Sequence, residues 1–552
     1  MTMSDSTDQG LYLLDYGAGN VRSVFNAVEA LGYKIKMITS EADFDAAKKI
    51  IFPGVGAFEY AMKSMSDKNF TKPLLKYIDS GRPLMGICVG MQILFEGSEE
   101  SKVPGLGIFP GKCEKFNSKT KSVPKIGWDK AVVVHTKNES ETLGISDSNM
   151  YYFVHSYAVP YTASTECAKF VHTATRYGDQ VYISSVWNKN IFATQFHPEK
   201  SGKCGLDLLK HFICNFKSRT DQSETVNILS PEDIGSYSSV RVIACMDVRA
   251  NDQGDLVVTK GDQYDVRESN DTNQVRNLGK PVELAARYYK ENADEVAFLN
   301  ITSFRDIPLN DTPMLQVLRE ASKSVFIPMT VGGGIRGIKC EKTGRYWSPV
   351  EVADAYFQAG ADKVSIGSDS VYSAENYWKS GCKLNGDSSI EQISKAYGSQ
   401  AVVVSIDPKR VYVESETQTT HHTIPTSVPG PNGEKYCWYQ CTVMGGRETR
   451  DFDVVQLATA VQALGAGEIL LNCIDKDGTN SGYDLELIKL VKKNVTIPVI
   501  ASSGAGRVEH FSEAVLESGA DAVLAAGIFH RNEIPISDVK THMENKGIII
   551  RK

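Results

Sequence analysis

Apolar and polar positions divide the chain into two regions of different rhythm. In residues 11–217, short apolar runs alternate with amphipathic stretches. LYLLDY (11–16) leads through GAGN into a helix-patterned stretch ending near Gly32. KKIIFPGVG (48–56) carries a strand into a glycine loop, and RPLMGICVG (82–90) carries another into a sharp turn. YYFVHSYAV and YISSVWNKNIFATQFHPE are rich in β-branched and aromatic residues, so this region predicts an α/β domain with a mixed sheet. Residues 218–239 (SRTDQSETVNILSPEDIGSYSS) are polar, serine-rich and aperiodic, which predicts a linker.

From Arg241 onward a longer period begins. Four strand-like runs, VIACMDVR (242–249), ADEVAFLNIT (293–302), IPMTVGGGI (327–335) and ADKVSIGS (361–368), are followed by four of the same character. The second set is AVVVSIDPKR (401–410), AGEILLNCIDKDG (466–478), IPVIASSGAG (497–506) and ADAVLAAGIFH (520–530). Matching residues recur at similar offsets, as in Asp247 and Asp407, Glu295 and Glu468, Pro328 and Pro498, and Asp362 and Asp521. Helix-patterned segments such as PVELAARYYKEN and VVQLATAVQALG separate the runs. Near-continuous Val/Ile/Leu/Ala strands are what a parallel sheet covered on both faces requires. Eight of them alternating with helices, in two similar halves, predict a (β/α)8 barrel with a twofold internal repeat. The predicted organisation is an α/β domain over 1–217, a linker over 218–239 and the barrel over 240–552.

Composition narrows the function classes. Hydrophobic residues make up 42% of the 552 and charged residues 23%, and the net charge is −7 without clustering. That balance excludes the basic footprint of a nucleic-acid binder and a polybasic membrane anchor. The polar start lacks a signal-peptide core, and no apolar run reaches the length of a membrane span. The eleven cysteines show neither disulfide-scaffold nor zinc spacing, which predicts a reducing compartment, the cytosol, and mostly inert buried thiols. A functional cysteine therefore needs local support.

Cys88 has it. Gly86-Ile87-Cys88-Val89-Gly90 joins an apolar strand to a helical run, the arrangement of a nucleophile elbow. A cysteine there sits at a helix N-terminus, which favours thiolate. Phe196-His197-Pro198-Glu199 supplies a histidine to act as base and a carboxylate two residues on to orient it. The PGVG loop at 53–56 offers backbone N–H groups to an oxyanion. GAGN is not a dinucleotide fingerprint, because Arg22-Ser23 stand where a third glycine is needed.

The barrel carries a second chemistry. Its active residues belong at the C-terminal ends of the strands, with phosphate commonly held after strands seven and eight. Strand seven ends in Ser502-Ser503-Gly504-Ala505-Gly506 and strand eight in Ala526-Gly527. The repeat supplies a twin, Gly332-Gly333-Gly334 after strand three and Gly367-Ser368 after strand four. Two cradles half a barrel apart imply one elongated substrate with a phosphate at each end. Asp247 and Asp407 end strands one and five, are repeat equivalents, and suit acid–base chemistry on the middle of that substrate. No metal is expected, since no cluster with ligand spacing accompanies them, and nothing calls for a cofactor.

At these residues residues 11–217 resemble the class I (triad) glutamine amidotransferases, and DYGAGN (15–20) and FPGVGAF (52–58) resemble their histidine-pathway branch. The resemblance implies Cys88 as nucleophile, His197 as base and Glu199 as orienter in glutamine hydrolysis through a glutamyl thioester. It implies a PGVG strand that rearranges to complete an oxyanion hole with Val55 and Gly56, with Gly90 as a further contributor. Residues 240–552 resemble the cyclase of the imidazole glycerol phosphate synthase family in IACMDVR, TVGGGI, ADKVSIGS, VSIDPKR, IDKDGTNSGYD and IPVIASSGAG, and both units on one chain resemble its fused form. This implies that ammonia converts the bisphosphate phosphoribulosyl-formimino-aminoimidazole carboxamide ribonucleotide (PRFAR) to imidazole glycerol phosphate and aminoimidazole carboxamide ribotide (AICAR).

The same resemblance implies Asp247 and Asp407 as the acid–base pair, and Lys260, Asp477, Gly478 and Thr479 as further substrate contacts. Gly367 and Gly527 stand where bacterial relatives often carry asparagine and serine, so only backbone contacts are expected to persist there. Arg241, Glu295, Lys363 and Glu468 match a gate for ammonia on the barrel floor, and Lys200 with Asp362 an interdomain salt bridge. Glutamine and PRFAR are the expected partners of a monomer. Two other readings, a different glutamine-fed barrel synthase and an inactive phosphometabolite-binding scaffold, fit less well. The twinned phosphate loops speak against the first and the intact Cys88, His197, Glu199, Asp247 and Asp407 against the second. The lengths of 370–400 and 411–447, beyond a minimal barrel, suggest lids or packing surfaces.

Overall fold

A computed structural model describes residues 7–17, 20–54, 56–134, 142–163, 166, 169–219, 229–250, 256–259, 280–300, 313–339 and 344–552. Val55 and Lys260 lie outside the described residues, as does most of the loop after barrel strand one.

The first domain is built on an eight-stranded mixed sheet. Thr7–Leu14 lies between Tyr33–Ile38 and Lys49–Phe52. Leu84–Ile87 and Ile191–Thr194 continue the parallel part, and Gln180–Asn188, Val171–Tyr177 and Val132–Val133 complete it antiparallel. The apolar runs that predicted strands are its buried centre: Leu13, Ile51, Met85 and Ala193 are all fully buried. Asn20 caps the helix Val21–Ala30, its side chain accepting from the Ser23 amide, as a short polar N-cap does. The described end of the linker is not a free spacer. Ile234 is buried, Arg176 donates to the carbonyls of Pro231 and Ile234 at 2.6 Å each, and the Ser239 amide bonds the Trp128 carbonyl.

In the second domain eight parallel strands run Arg241–Ala250, Glu295–Asn300, Met329–Gly332, Lys363–Ile366, Val402–Ile406, Glu468–Asn472, Val499–Ser502 and Ala522–Ala525. The last pairs back onto the first, from Arg241↔Ala522 to Ala244↔Ala525, so the barrel closes. Alternation along strand one shows why such a strand is apolar on both sides. Ile243 and Cys245 pack inward with Ala297, Val403, Leu470, Ile500 and Leu524, while Val242, Ala244 and Met246 face the helices. Strand one runs past Asp247 into a ribbon with Leu256–Thr259. The repeat is atomic as well as sequential: the Met329 amide donates to Asp362 at 2.8 Å and the Val499 amide to Asp521 at 2.7 Å.

The two long segments have different fates. Helices Ser368–Lys379 and Ser389–Tyr397 fill the first, and the second touches the amidotransferase-like domain through Tyr60 and Tyr397. The other becomes a small antiparallel sheet, Pro408–Val413, Ile424–Pro425, Tyr436–Val443 and Glu448–Asp453, on the loop side of strand five. Arg410 anchors it: buried, it bonds Asp484 at 2.6 Å and the Tyr439 hydroxyl at 2.9 Å, and its amide bonds Asp475 at 2.7 Å. No helix among the described residues is long and apolar enough to cross a membrane.

Candidate active sites and the passage between them

Cys88 follows the strand Leu84–Ile87 and caps the short helix Val89–Gln92 at φ 53°, ψ −110°. A left-handed non-glycine residue is strained, and the strain is held by the Cys88 amide's 2.7 Å bond to the Thr194 carbonyl. The flanking glycines have no room for a side chain. A Cβ on Gly90 would meet the Phe52 carbonyl oxygen at 2.2 Å, and one on Gly54 the Gly90 amide at 2.1 Å. The elbow and the PGVG loop are therefore packed backbone to backbone.

His197 and Glu199 come from the chain just beyond the strand Ile191–Thr194, which pairs with the strand of Cys88. His197 Nδ1 lies 2.8 Å from Glu199 Oε1, and both are buried. Burial alone would lower the pKa of His197. The charges of Glu199 and Cys88 and its hydrogen bonds to both outweigh that and raise it well above the ordinary histidine value. A charged imidazole is thus favoured beside the nucleophile. Two groups went unread in the sequence. Gln195 donates to Cys88 Sγ at 3.4 Å and is itself held by Gln92 at 3.1 Å. The Val89 amide, next after the nucleophile, points at the Gly54 carbonyl at 3.4 Å. In this state that carbonyl occupies the amide's oxyanion-binding direction, and Gly56 (φ 124°) sits in the same loop.

At the barrel mouth Asp247, on strand one, and Asp407, just after strand five, are both partly buried. Burial, then the charge of Asp477, pushes Asp247 up to about 7. Burial and Asp477 push Asp407 up to about 6, against hydrogen bonds from Asn472 and Ser405. Asn472, at the end of strand six and unread in the sequence, links several of these groups. It donates to Asp407 at 3.2 Å and accepts from Ser502 at 3.3 Å and from Ser503. Ser503 also reaches Asp477 at 3.4 Å.

The glycine loops take the left-handed turns their composition suggested: Gly333 (101°), Gly334 (74°), Gly478 (69°), Ser503 (71°) and Gly504 (98°) all have positive φ. Cβ atoms on Gly333 and Gly504 would meet the Asn300 and Gly482 carbonyl oxygens at 2.2 and 2.3 Å. Gly367 caps the helix Ser368–Lys379, and Ala526 caps the turn that starts at Gly527. Thr479 is exposed and bonds the Lys476 carbonyl at 2.8 Å.

On the opposite face the four strand-start charges meet. Arg241 pairs with Glu295 at 2.6 Å and with Glu468, and Lys363 pairs with Glu295 at 2.8 Å and Glu468 at 2.7 Å; all four are fully buried. Two cations and two anions alternate into a neutral ring, which offsets the large cost of burying each. Thr330 donates to Glu295 at 2.6 Å. Tyr152 lies near the ring: its carbonyl accepts the His197 amide at 2.9 Å, and its buried hydroxyl feels the charges of Glu295, Arg241 and Glu468. The Tyr152 hydroxyl, Arg241 Nε and Glu199 Oε2 are buried without a hydrogen-bond partner among the described residues. Lys200 meets Asp362 at 2.7 Å, and Asn20 joins them at 2.9 Å.

Residues 12–216 match the family model described as glutamine amidotransferase class-I, and residues 241–535 match that described as histidine biosynthesis protein. The imidazole glycerol phosphate synthase hisHF of Schizosaccharomyces pombe is 52% identical over 540 residues, 98% of this chain and 99% of that protein. The chain belongs to the imidazole glycerol phosphate synthase family. A chloroplastic hisHF of Arabidopsis thaliana is 52% identical over 99% of this chain and 90% of its own length. The subunit HisF of Methanosphaera stadtmanae is 39% identical over 313 residues, 57% of this chain and 99% of that protein. The chain is thus an enzyme of histidine biosynthesis in which a glutamine amidotransferase and a cyclase barrel are fused.

Proposed function

We propose that Cys88 attacks the side-chain amide of glutamine, with His197 taking the thiol proton and returning it to the departing ammonia. A glutamyl thioester remains at Cys88, and water activated by His197 hydrolyses it to glutamate. Glu199 holds the imidazole. The amide of Val89, with Val55, Gly56 and Gly90 around it, forms the oxyanion pocket once the Gly54 carbonyl turns away. Ammonia then passes Tyr152 and the Arg241–Glu295–Lys363–Glu468 ring to the barrel mouth. There PRFAR lies with one phosphate at Gly333–Gly334 and Gly367–Ser368. Its other phosphate lies at Ser503–Gly504, Ala526–Gly527 and the Asp477–Thr479 loop, and Lys260 is a further contact. Asp247, the more readily protonated, is the acid and Asp407 the base of ring closure and cleavage to imidazole glycerol phosphate and AICAR.

The observation that carries this reading is the chain of contacts from Cys88 through His197 and Tyr152 to a fully buried charge ring on the barrel axis. The buried Tyr152 hydroxyl and Arg241 Nε, without a partner among the described residues, offer hydrogen bonds to ammonia on its way. Domain limits of 1–217 and 240–552 follow. The free cysteines fit a reducing compartment, the cytosol, and both sites on one chain fit a monomer. The test follows PRFAR consumption with glutamine or with ammonium. Cys88→Ala is expected to lose glutamine-driven turnover by at least ~10³-fold and keep the ammonium-driven rate. Equal loss of both would refute separate sites joined by ammonia.

A further inference from the structure

The small sheet inserted after strand five ends in a turn, Met444-Gly445-Gly446-Arg447, between the paired residues Val443 and Glu448. Its three contacts trace a path across the barrel mouth. Thr442, on the strand entering the turn, donates to the main-chain carbonyl of Asp407 at 2.7 Å. The Met444 amide donates to the Ser368 hydroxyl at 2.8 Å. A Cβ on Gly446 would stand 3.1 Å from Ile474 Cδ1, in the loop that leads to Asp477. One turn thus touches the first phosphate cradle and the loop of the third carboxylate, and its entering strand holds the base.

Its backbone is unusual. Met444, Gly445 and Gly446 are consecutive left-handed residues, with φ of 54°, 67° and 81°. Met444 is a large apolar side chain left 43% exposed in that conformation. Strain held at a binding cleft is a reason to look for a ligand-dependent change. The cradle also needs charge. The glycine turn is followed by Arg336, and the first helical turn after Gly367 carries Asp369, so a further cation would help to neutralise a phosphate dianion. Arg447 is exposed and lies on the same turn as Met444, whose amide bonds Ser368.

We propose that the turn Met444–Arg447 is the moving wall of the first phosphate cradle. A phosphoryl group of the bisphosphate replaces the Ser368 oxygen as acceptor for the Met444 amide, takes the Ser368 hydroxyl as a second donor, and draws in the Arg447 guanidinium. Because Thr442 grips Asp407, occupancy of this phosphate site sets the position of the base. This rests on the reading of Gly367–Ser368 as a phosphate cradle.

The test is steady-state cyclisation of PRFAR with saturating ammonium, on the full chain. Arg447→Ala is expected to raise KM for the bisphosphate about tenfold or more, the loss of one charge-assisted bond, with kcat within about threefold. Arg447→Lys is expected to recover most of the KM. Gly446→Ala, which presses on Ile474 and stiffens the turn, is expected to lower kcat as well. Thermal unfolding checks that each variant folds, and Arg447→Lys, which keeps the charge, separates loss of the phosphate contact from a change in the turn's own packing. A KM unchanged within twofold in Arg447→Ala, or a fall in kcat with KM unchanged, overturns the proposal. Failure of the unsubstituted chain to consume PRFAR would instead sink the function proposed above.

Discussion

Among the nine described free cysteines, what sets Cys88 apart is its surroundings. Burial pushes the thiols of Cys204 and Cys437 up to about 11, although Arg551 and Arg410 partly offset it. Cys88 has a buried imidazole whose proton is held by its own negative charge and that of Glu199. The carboxylates at the barrel mouth are also pushed up, toward the neutral form. Asp247 binds its proton up to about pH 7 in the folded chain and to about 3.8 as an ordinary side chain. Between those values the folded state holds more protons than the unfolded one, so stability falls as pH rises through the window. Asp247→Asn removes that penalty. The variant is expected to unfold at a higher temperature than the parent at pH 8, by an amount worth on the order of 2–4 kcal/mol, with the gap closing toward pH 4. Calorimetry at the two pH values checks this, and ammonium-driven cyclisation is lost in the same protein. An Asn variant less stable at pH 8 would mean that the fold favours the charged form of Asp247 over the neutral one.

At the scale of elements, the strands, the elbow and the glycine loops were legible in the sequence because each has a local cause. Parallel strands covered on both faces must be apolar, and left-handed turns select glycine. What was not legible depends on residues distant in sequence. Gln195 is one of several polar residues at a strand end until the fold places it against Cys88. Asn472 gains meaning only where strands five, six and seven meet. Tyr152 looked like one aromatic in a β-rich run, and the insert's polar ETQTTHHT stretch hides a sheet that packs through Arg410, Tyr439 and Asp484. That anchor yields a prediction. Arg410→Ala strands the buried Asp484 carboxylate and is expected to cost about 3–5 kcal/mol in chemical unfolding. The insert on the loop side of strand five loosens with it, so cyclisation is expected to fall while the glutaminase keeps its rate. A loss below about 1 kcal/mol would mean that the insert is held by its apolar contacts alone.

Across the whole molecule the barrel's internal symmetry reaches the domain interface. Asp362 and Asp521, repeat equivalents, each accept a strand amide, and each binds the first domain, through Lys200 and Asn20 in one case and Ser122 at 2.8 Å in the other. Trp128 completes the contact, its indole donating to the Asp294 carbonyl at 3.1 Å beneath the Arg551 guanidinium. The charge ring lies inside this perimeter. Lys363→Met unbalances it, leaving Glu295 and Glu468 to share Arg241. It is expected to destabilise the chain by about 3–5 kcal/mol and to release more ammonia per imidazole formed, which product ratios measure.

The central claim is that nitrogen travels inside the protein from Cys88 to the barrel mouth. The direct test supplies glutamine labelled with 15N at its side-chain amide together with PRFAR and a large excess of unlabelled ammonium, below pH 7. Mass spectrometry then reads the label in imidazole glycerol phosphate. An enclosed passage predicts product carrying 15N in nearly every molecule, whatever the ammonium concentration. Label diluted toward the ratio in bulk solution would contradict it.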